Sequence, residues 1–296
     1  MTYTIRRVRP SDLEQIIRLF QRGFGPAVQP ILIEEVQTST REASSVRFVA
    51  VDDREVIGYA RIYYLTPDKA LFGALVVDEA QRNRGIATAL SRARVGYLTD
   101  NNFQGLALSD AVTLHSYSQQ QLFSVGFSPV RVLLGSLPDH GSGPETSVGF
   151  AQIFSPVGLW GAEATTLSLY LPHEYRTIAE ETLRPFGNVV FKEASVETAG
   201  ERTRSFVTGE EVLYPKKQYP IRLYEPSAPA DMKLLQEKGY VIAGFAPLIV
   251  DGSVSAVAYM YNVPDVALEK EEIKIIPAAQ LLFDFVWERY EQLHHK

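Results

Sequence analysis

"VVDEAQRNRGIATALSRARVGYL", residues 76–98, decides how this chain is read. An apolar, strand-like run stops at Asp78 and a short charged turn follows. Gly85-Ile86-Ala87 then opens a segment with Ile86, Leu90, Ala93 and Tyr97 at helical spacing. Glycine and alanine at a helix start leave the backbone bare, which matters where something must approach it. The first amides of a helix have no partner within it, point outward and carry the positive end of its dipole. Small residues let a bulky anion reach them. Arg82 and Arg84 add guanidinium groups suited to charge-assisted bonds. Strand, turn and helix start together predict a cradle for a diphosphate. No G-x-x-x-x-G-K-S/T run and no G-x-G-x-x-G run is present, so two other nucleotide cradles are excluded. Taken alone, the stretch also reads as a flexible helix start with solvated arginines.

The surroundings weigh against that plainer reading. Upstream, "RPSDLEQIIRLFQRGFG" predicts an amphipathic helix with Ser11 as its N-cap. "VRFVAVDD", "EVIGYARIYYL" and "ALFGALVVD" predict three strands, the first two joined by a turn at Asp52-Asp53. Downstream come a short buried strand, "FQGLALSD", a short helix, "SYSQQQLFSVGF", and another strand, "SPVRVLLGSLP". Composition breaks at "LPDHGSGPETS", residues 137–147, which reads as a linker. Beyond it, "TTLSLYLP", "NVVFKEA", "ERTRSFVTG", "YPIRLYE" and "SVSAVAYMYNV" predict strands. "HEYRTIAEETLRPFG" and the C-terminal "AAQLLFDFVWERYEQLHHK" predict helices. "SQQQLFSVGFSPVRVLLGSLP" and "DMKLLQEKGYVIAGFAPLIV" share an order of helix, glycine, aromatic and strand, which points to an internal repeat.

The bulk numbers set limits. A chain of 296 residues holds one large domain or two of ordinary size. A net charge of -6 argues against a general nucleic-acid binder. No apolar run approaches the roughly 18 residues needed to span a bilayer, and "MTYTIRRVRPSDL" lacks the apolar core of a secretory signal. Cysteine is absent, which removes disulfides, thiolate metal sites and cysteine nucleophiles and fits a cytoplasmic location. The five histidines show no metal-ligand spacing, so no metal is expected.

With its turn and element order, the chain resembles the GNAT acyltransferase superfamily, whose pyrophosphate loop reads Q/R-x-x-G-x-G/A; Arg82, Gly85 and Ala87 fall on the fixed positions. The resemblance implies an α+β fold with a mixed, mostly antiparallel central sheet flanked by helices over residues 1–137. After a linker at 138–147, a second, smaller GNAT-like α+β domain is expected over 148–296, without a loop of its own. It also implies acetyl-CoA as co-substrate. Its diphosphate would be held by Arg82, Asn83, Arg84, Gly85, Ile86, Ala87 and Thr88, and its pantetheine arm by the backbone of Leu75, Val76 and Val77. Arg92 and Arg94 read as solvated helix arginines, with contact to the ribose phosphate as the other reading.

The implied reaction is acetyl transfer to a primary amine of a small molecule. Its gain comes largely from holding the two reactants together, with help from a base because amines are mostly protonated near neutral pH. His115, Asp110 at the end of its strand, and Tyr63 on the strand before the loop strand are the candidate catalytic residues. The family's usual tyrosine acid falls on Leu122, which donates no proton. Two alternatives therefore stand: an acyl-CoA-binding regulatory or scaffold module without turnover, and transfer from a longer acyl or carrier-protein thioester. In the C-terminal helix, Leu282, Phe285, Val286 and Tyr290 form an apolar face, expected to dock on its own domain or, alternatively, in a homodimer.

Overall fold

Tight turns join strands that are mostly buried on both faces. In this computed structural model the described residues are 3–24, 30, 33–34, 45–137, 145–155, 165–194, 200, 203, 218–263 and 267–294. Strands β1 (Thr4–Arg7), β2 (Ser45–Asp52), β3 (Glu55–Thr66) and β4 (Lys69–Val77) form an antiparallel meander. Between β2 and β3, Asp53 and Arg54 both take positive φ, 42° and 78°, as a turn matching the strand twist demands. Helix α1 (Leu13–Gly23) precedes β2, and α2 (Ile86–Asp100) carries the chain from β4 to a parallel partner, β5 (Gly105–Val112). Ser11 does not cap α1. It lies in a 3-10 turn (Pro10–Asp12) before the helix, and the Asp12 carboxylate instead accepts from the Arg9 amide at 2.7 Å.

Helix α3 (Tyr117–Ser124) leads into β6 (Ser128–Leu137) and then β7 (Glu145–Phe154), which returns between β5 and β6. Of the expected linker, 138–144 lies outside the described residues, while 145–147 open strand β7, whose residues 147–154 pair with β5.

The later elements are β8 (Thr166–Tyr170), α4 (Arg176–Leu183), β9 (Asn188–Lys192), β10 (Gln218–Arg222), α5 (Ala228–Gln236), β11 (Val241–Val250), β12 (Ser253–Tyr261) and α6 (Pro277–His294). The expected strand at 201–209 lies outside the described residues, Thr203 apart. β8 and β9 form a separate parallel pair. The other ten strands make one sheet, in the order β1-β2-β3-β4-β5-β7-β6-β11-β12-β10. The rhyme in the sequence is thus a repeat in topology. Strand, helix, strand, strand (β5-α3-β6-β7) recurs as β10-α5-β11-β12, and the two copies meet edge to edge at β6 and β11 through one ladder pair, Arg131 and Gly244.

Helix α2 packs on one face of the sheet, where Ile86 and Leu90 meet Ala50, Ile57, Ala60 and Ile62. Helices α3 and α6 extend that layer, and α6 spans both halves by touching β6 and β11. Its buried Leu282, Val286, Trp287 and Tyr290 account for the apolar face seen in the sequence. On the opposite face, α1 seats Ile16, Leu19 and Phe20 against Val49, Tyr59 and Val76. No helix among the described residues is long and apolar enough to cross a membrane.

Candidate functional site

Residues 78–88 form the turn. Its first part closes on itself: the Ala80 amide donates to Asp78 Oδ1, Gln81 N to Asp78 O, and Arg82 N to Glu79 O. From Asn83 to Thr88 the pattern stops. Among the described residues none of those six amides donates to a protein acceptor, and the next, Ala89 N, returns to Gly85 O at 3.0 Å. Asn83 and Gly85 take φ of 63° and 74°, which turns successive N–H groups toward a common side. A Cβ at Gly85 would meet only Tyr3 Oη, at 3.9 Å, so the space beside the turn is open. Unpartnered amides at the head of a 15-residue helix have the geometry and the field that favour an anion.

The two arginines differ. Arg82 is exposed, with only a loose 3.6 Å contact to Glu79. Arg84 turns inward, donating from Nη2 to Asp52 at 2.8 Å and from Nη1 to Gln81 Oε1, with Tyr3 against its guanidinium. It holds the turn to β2, so of the two guanidinium groups expected at the diphosphate only Arg82 is left uncommitted.

The strand before the turn borders a wedge. β4 and β5 pair only through Lys69–Leu106, Ala70–Ala107 and Leu71–Leu108, after which no strand among the described residues lies along that edge of β4. A bulge helps to part them. The β3–β4 register shifts between Tyr59 and Arg61, and Ala74 sits at φ 49°. Leu75 and Val77 are half-buried and Val76 is buried under α1. At the apex of the wedge Ser109 Oγ donates to Phe72 O at 3.0 Å.

Pairing places the expected catalytic residues. Tyr63 pairs with Leu71 and Leu71 with Leu108; by alternation Tyr63, Leu108 and Asp110 share the face that carries α1. His115 is exposed in the turn before α3, its ring 5.1 Å from that of Tyr117. It is not brought onto the ladder with the other two. Leu122 is buried in the main core. Arg94 is neither solvated nor free for a phosphate. It is 1% exposed, donates to Arg61 O at 3.2 Å and Ser91 Oγ at 2.5 Å, and lies 4.3 Å over the Phe72 ring. Burial pulls its pKa down to about 9.

Asp110 has a partner that pattern reading missed. Arg131 Nη2 donates to both carboxylate oxygens, at 3.0 and 3.1 Å, while Nη1 lies 3.5 Å from Gln218 Oε1 and the guanidinium 4.8 Å from the Tyr259 ring. Burial works against the charge of Arg131. Asp110 and Tyr259 more than offset it, so its pKa stands above the ordinary value. The available signal was an arginine within an apolar strand, with glycines inside the strands on either side, Gly149 and Gly244.

Among the described residues no group of three or more histidines, aspartates or glutamates could hold a metal. A cavity of about 160 Å³ beside Thr203, Tyr219 and Asp231, and one of about 330 Å³ beside Phe123, Ile178 and Leu281, are lined by none of the turn or wedge residues. Both carboxylates of the first are already engaged, Asp231 by Gly200 N and Ser227 Oγ and Glu225 by Arg222, so neither cavity displaces the wedge as the candidate site.

Comparison with known proteins bears on the same stretch. The ribosomal-protein-S18-alanine N-acetyltransferase of Escherichia coli is 16% identical, covering 53% of this chain and 97% of its own, with a TM-score of 0.47. NAA60 of Arabidopsis thaliana, solved with a bisubstrate analogue, is 22% identical over 51% of this chain and 98% of its own, at 0.43. The PaiA N-acetyltransferase of Thermoplasma acidophilum, solved with coenzyme A, is 14% identical over 50% and 98%, at 0.39. No curated protein matches the chain. The model of the acetyltransferase (GNAT) family matches residues 13–127, from the start of α1 to the end of the α3 connection. That match covers the part of the chain that parts β4 from β5 and bares the amides of the turn.

Proposed function

We propose that this protein transfers an acetyl group from acetyl-CoA to a primary amine of a small molecule. One observation carries the reading: six consecutive unpartnered amides, Asn83 to Thr88, open beside a wedge between β4 and β5. Those amides and Arg82 would hold the diphosphate, and the free edge of β4 at Leu75 to Val77 would pair with the pantetheine arm. The thioester would then lie near the apex, where Phe72 and Ser109 close the wedge.

The amine nitrogen attacks the acetyl carbonyl carbon; the C–N bond forms and the C–S bond breaks. Asp110 would receive the ammonium, using the carboxylate lone pairs that Arg131 leaves open. Tyr63 would line the acceptor side. His115, at the exposed rim, suits passage of the released proton to solvent. The departing thiolate takes its proton from water, because Leu122 has none to give. Holding the reactants in contact supplies most of the acceleration.

Leu122 favours a second reading, a binder of acyl-CoA without turnover. Two measurements separate them. Calorimetric titration with acetyl-CoA should give binding that falls at least about tenfold in Gly85→Val, which is strained at positive φ and fills the open side of the turn. Thiol release on adding amines should mark the enzyme. Unchanged affinity in Gly85→Val would remove the diphosphate from the turn.

A further inference from the structure

Resting on the acetyl-transfer reading, we infer that the second half of the chain completes the amine site of the first by holding Arg131, which in turn positions Asp110.

One row of paired residues crosses the seam: Asp110 on β5, Gly149 on β7, Arg131 on β6, Gly244 on β11 and Tyr259 on β12. Paired positions point to one side of a sheet, so this row continues the face that carries Asp110 and Tyr63. Arg131 stands between two residues without side chains. A Cβ at Gly149 would come within 2.5 Å of Arg131 Cγ and Nε; one at Gly244 would come within 2.5 Å of Arg131 Cα and 3.0 Å of its Cβ. The gap at Gly149 lets the guanidinium lie across β7 and reach Asp110, two strands away. Gly244, at φ 152°, lets β11 lie close against the β6 backbone at Val130 O and Arg131 Cα, and Tyr259 closes on the guanidinium from β12. Glycine weakens strand interiors, and here one such position clears the side chain of Arg131 and the other its backbone.

The division of labour follows from chain order. Asp110 and Arg131 belong to the first half, Gln218 and Tyr259 to the second. The Asp110 side chain is 35% exposed and Arg131 16%, so the carboxylate faces solvent while the cation behind it is enclosed. Two donors from Nη2 fix the carboxylate plane and leave its outer lone pairs for an ammonium group. Arg131 is therefore a positioning residue, and Tyr259 and Gln218 set its place from across the seam. A simple stitch between halves would have the same contacts but no bearing on amine affinity.

The test uses the full chain, with benzylamine, ethanolamine and glycinamide as probe acceptors and thiol release as readout. In Tyr259→Ala and Gln218→Ala the KM for the best probe amine should rise about threefold to thirtyfold, the range of one lost cation–π or charged hydrogen bond. The KM for acetyl-CoA should stay within about twofold. Arg131→Lys, which keeps a charge but not the fork, should fall between wild type and Arg131→Ala. Tyr259→Phe retains the ring and controls for loss of packing; melting temperatures report folding. An unchanged amine KM in folded Tyr259→Ala and Gln218→Ala would overturn the inference, as would amine and acetyl-CoA KM values that rise together. A wild-type protein that is silent with all three amines overturns the transfer reading, and this inference with it.

Discussion

Replacing Gly149 by alanine adds one methyl group at the centre of the seam, and its cost can be worked from distances. The new Cβ would sit 2.5 Å from both Cγ and Nε of Arg131, at least 1 Å inside an ordinary carbon contact. Those atoms are mid-chain, so the clash cannot be relieved by moving a flexible tip. Withdrawing the side chain lengthens the 3.0 and 3.1 Å bonds to Asp110, and the Tyr259 ring 4.8 Å away limits movement on the other side. Overpacking of this kind costs about 1–3 kcal/mol. Loss of the Asp110 partner adds to it, discounted because that carboxylate is 35% exposed. The expected loss is about 2–4 kcal/mol in urea-induced unfolding. Gly96→Ala is the control: it lies within α2, a Cβ there meets nothing within 4 Å, and helix propensity predicts a gain of about 0.5–1 kcal/mol. A Gly149→Ala protein within about 0.5 kcal/mol of wild type would refute the account of why Arg131 lies across β7.

Two further substitutions test buried charge, with opposite signs. Arg6 donates to both oxygens of Asp12, at 2.7 and 2.8 Å, and the hydrogen bond from Arg6 is the main reason that the Asp12 pKa is lowered. A depressed carboxyl pKa stabilises the fold fully above the unfolded value of about 3.9 and is lost as pH falls through the folded one. Asp12→Asn should thus cost about 1–3 kcal/mol at pH 7 in denaturant titrations, with the deficit shrinking below about pH 4; a deficit independent of pH would refute the charge argument. Arg94, whose pKa burial lowers to about 9, has no carboxylate partner among the described residues. The unfolded chain holds that proton more tightly, so the charge weighs against folding at neutral pH and is relieved only as pH rises above about 9. Arg94→Met should raise stability by about 1–2 kcal/mol at pH 7; a loss would mean that Phe72 and the two hydrogen bonds outweigh the burial.

Local features were legible in the sequence for local reasons. The turn, the strand before it and α2 follow from one glycine, one alanine and a change of period near Asp78. The likeness between residues 118–138 and 231–250 survived as a topological repeat because helix, glycine and strand are each encoded within a few residues. What failed depended on distant pairing. Strand β7 returns between β5 and β6, a placement that no short run of sequence encodes. Arg94 was misjudged because an arginine on a helix is usually solvated, while this one is covered by β3 and β4. The site divides likewise: the amides of the turn lie in one short run, whereas Asp110 and Arg131 are 21 positions apart and Tyr259 is farther still.

The mirror-like order β5-β7-β6 followed by β11-β12-β10 is the arrangement that two separate copies of one such module would adopt by joining their outer strands. Here a peptide connection ties the copies together, so their association does not weaken on dilution, as that of free subunits would. With its neighbour permanently attached, each copy is released from being identical to the other. One can keep the pair Asp110 and Arg131 while the other contributes a tyrosine and a glutamine around it.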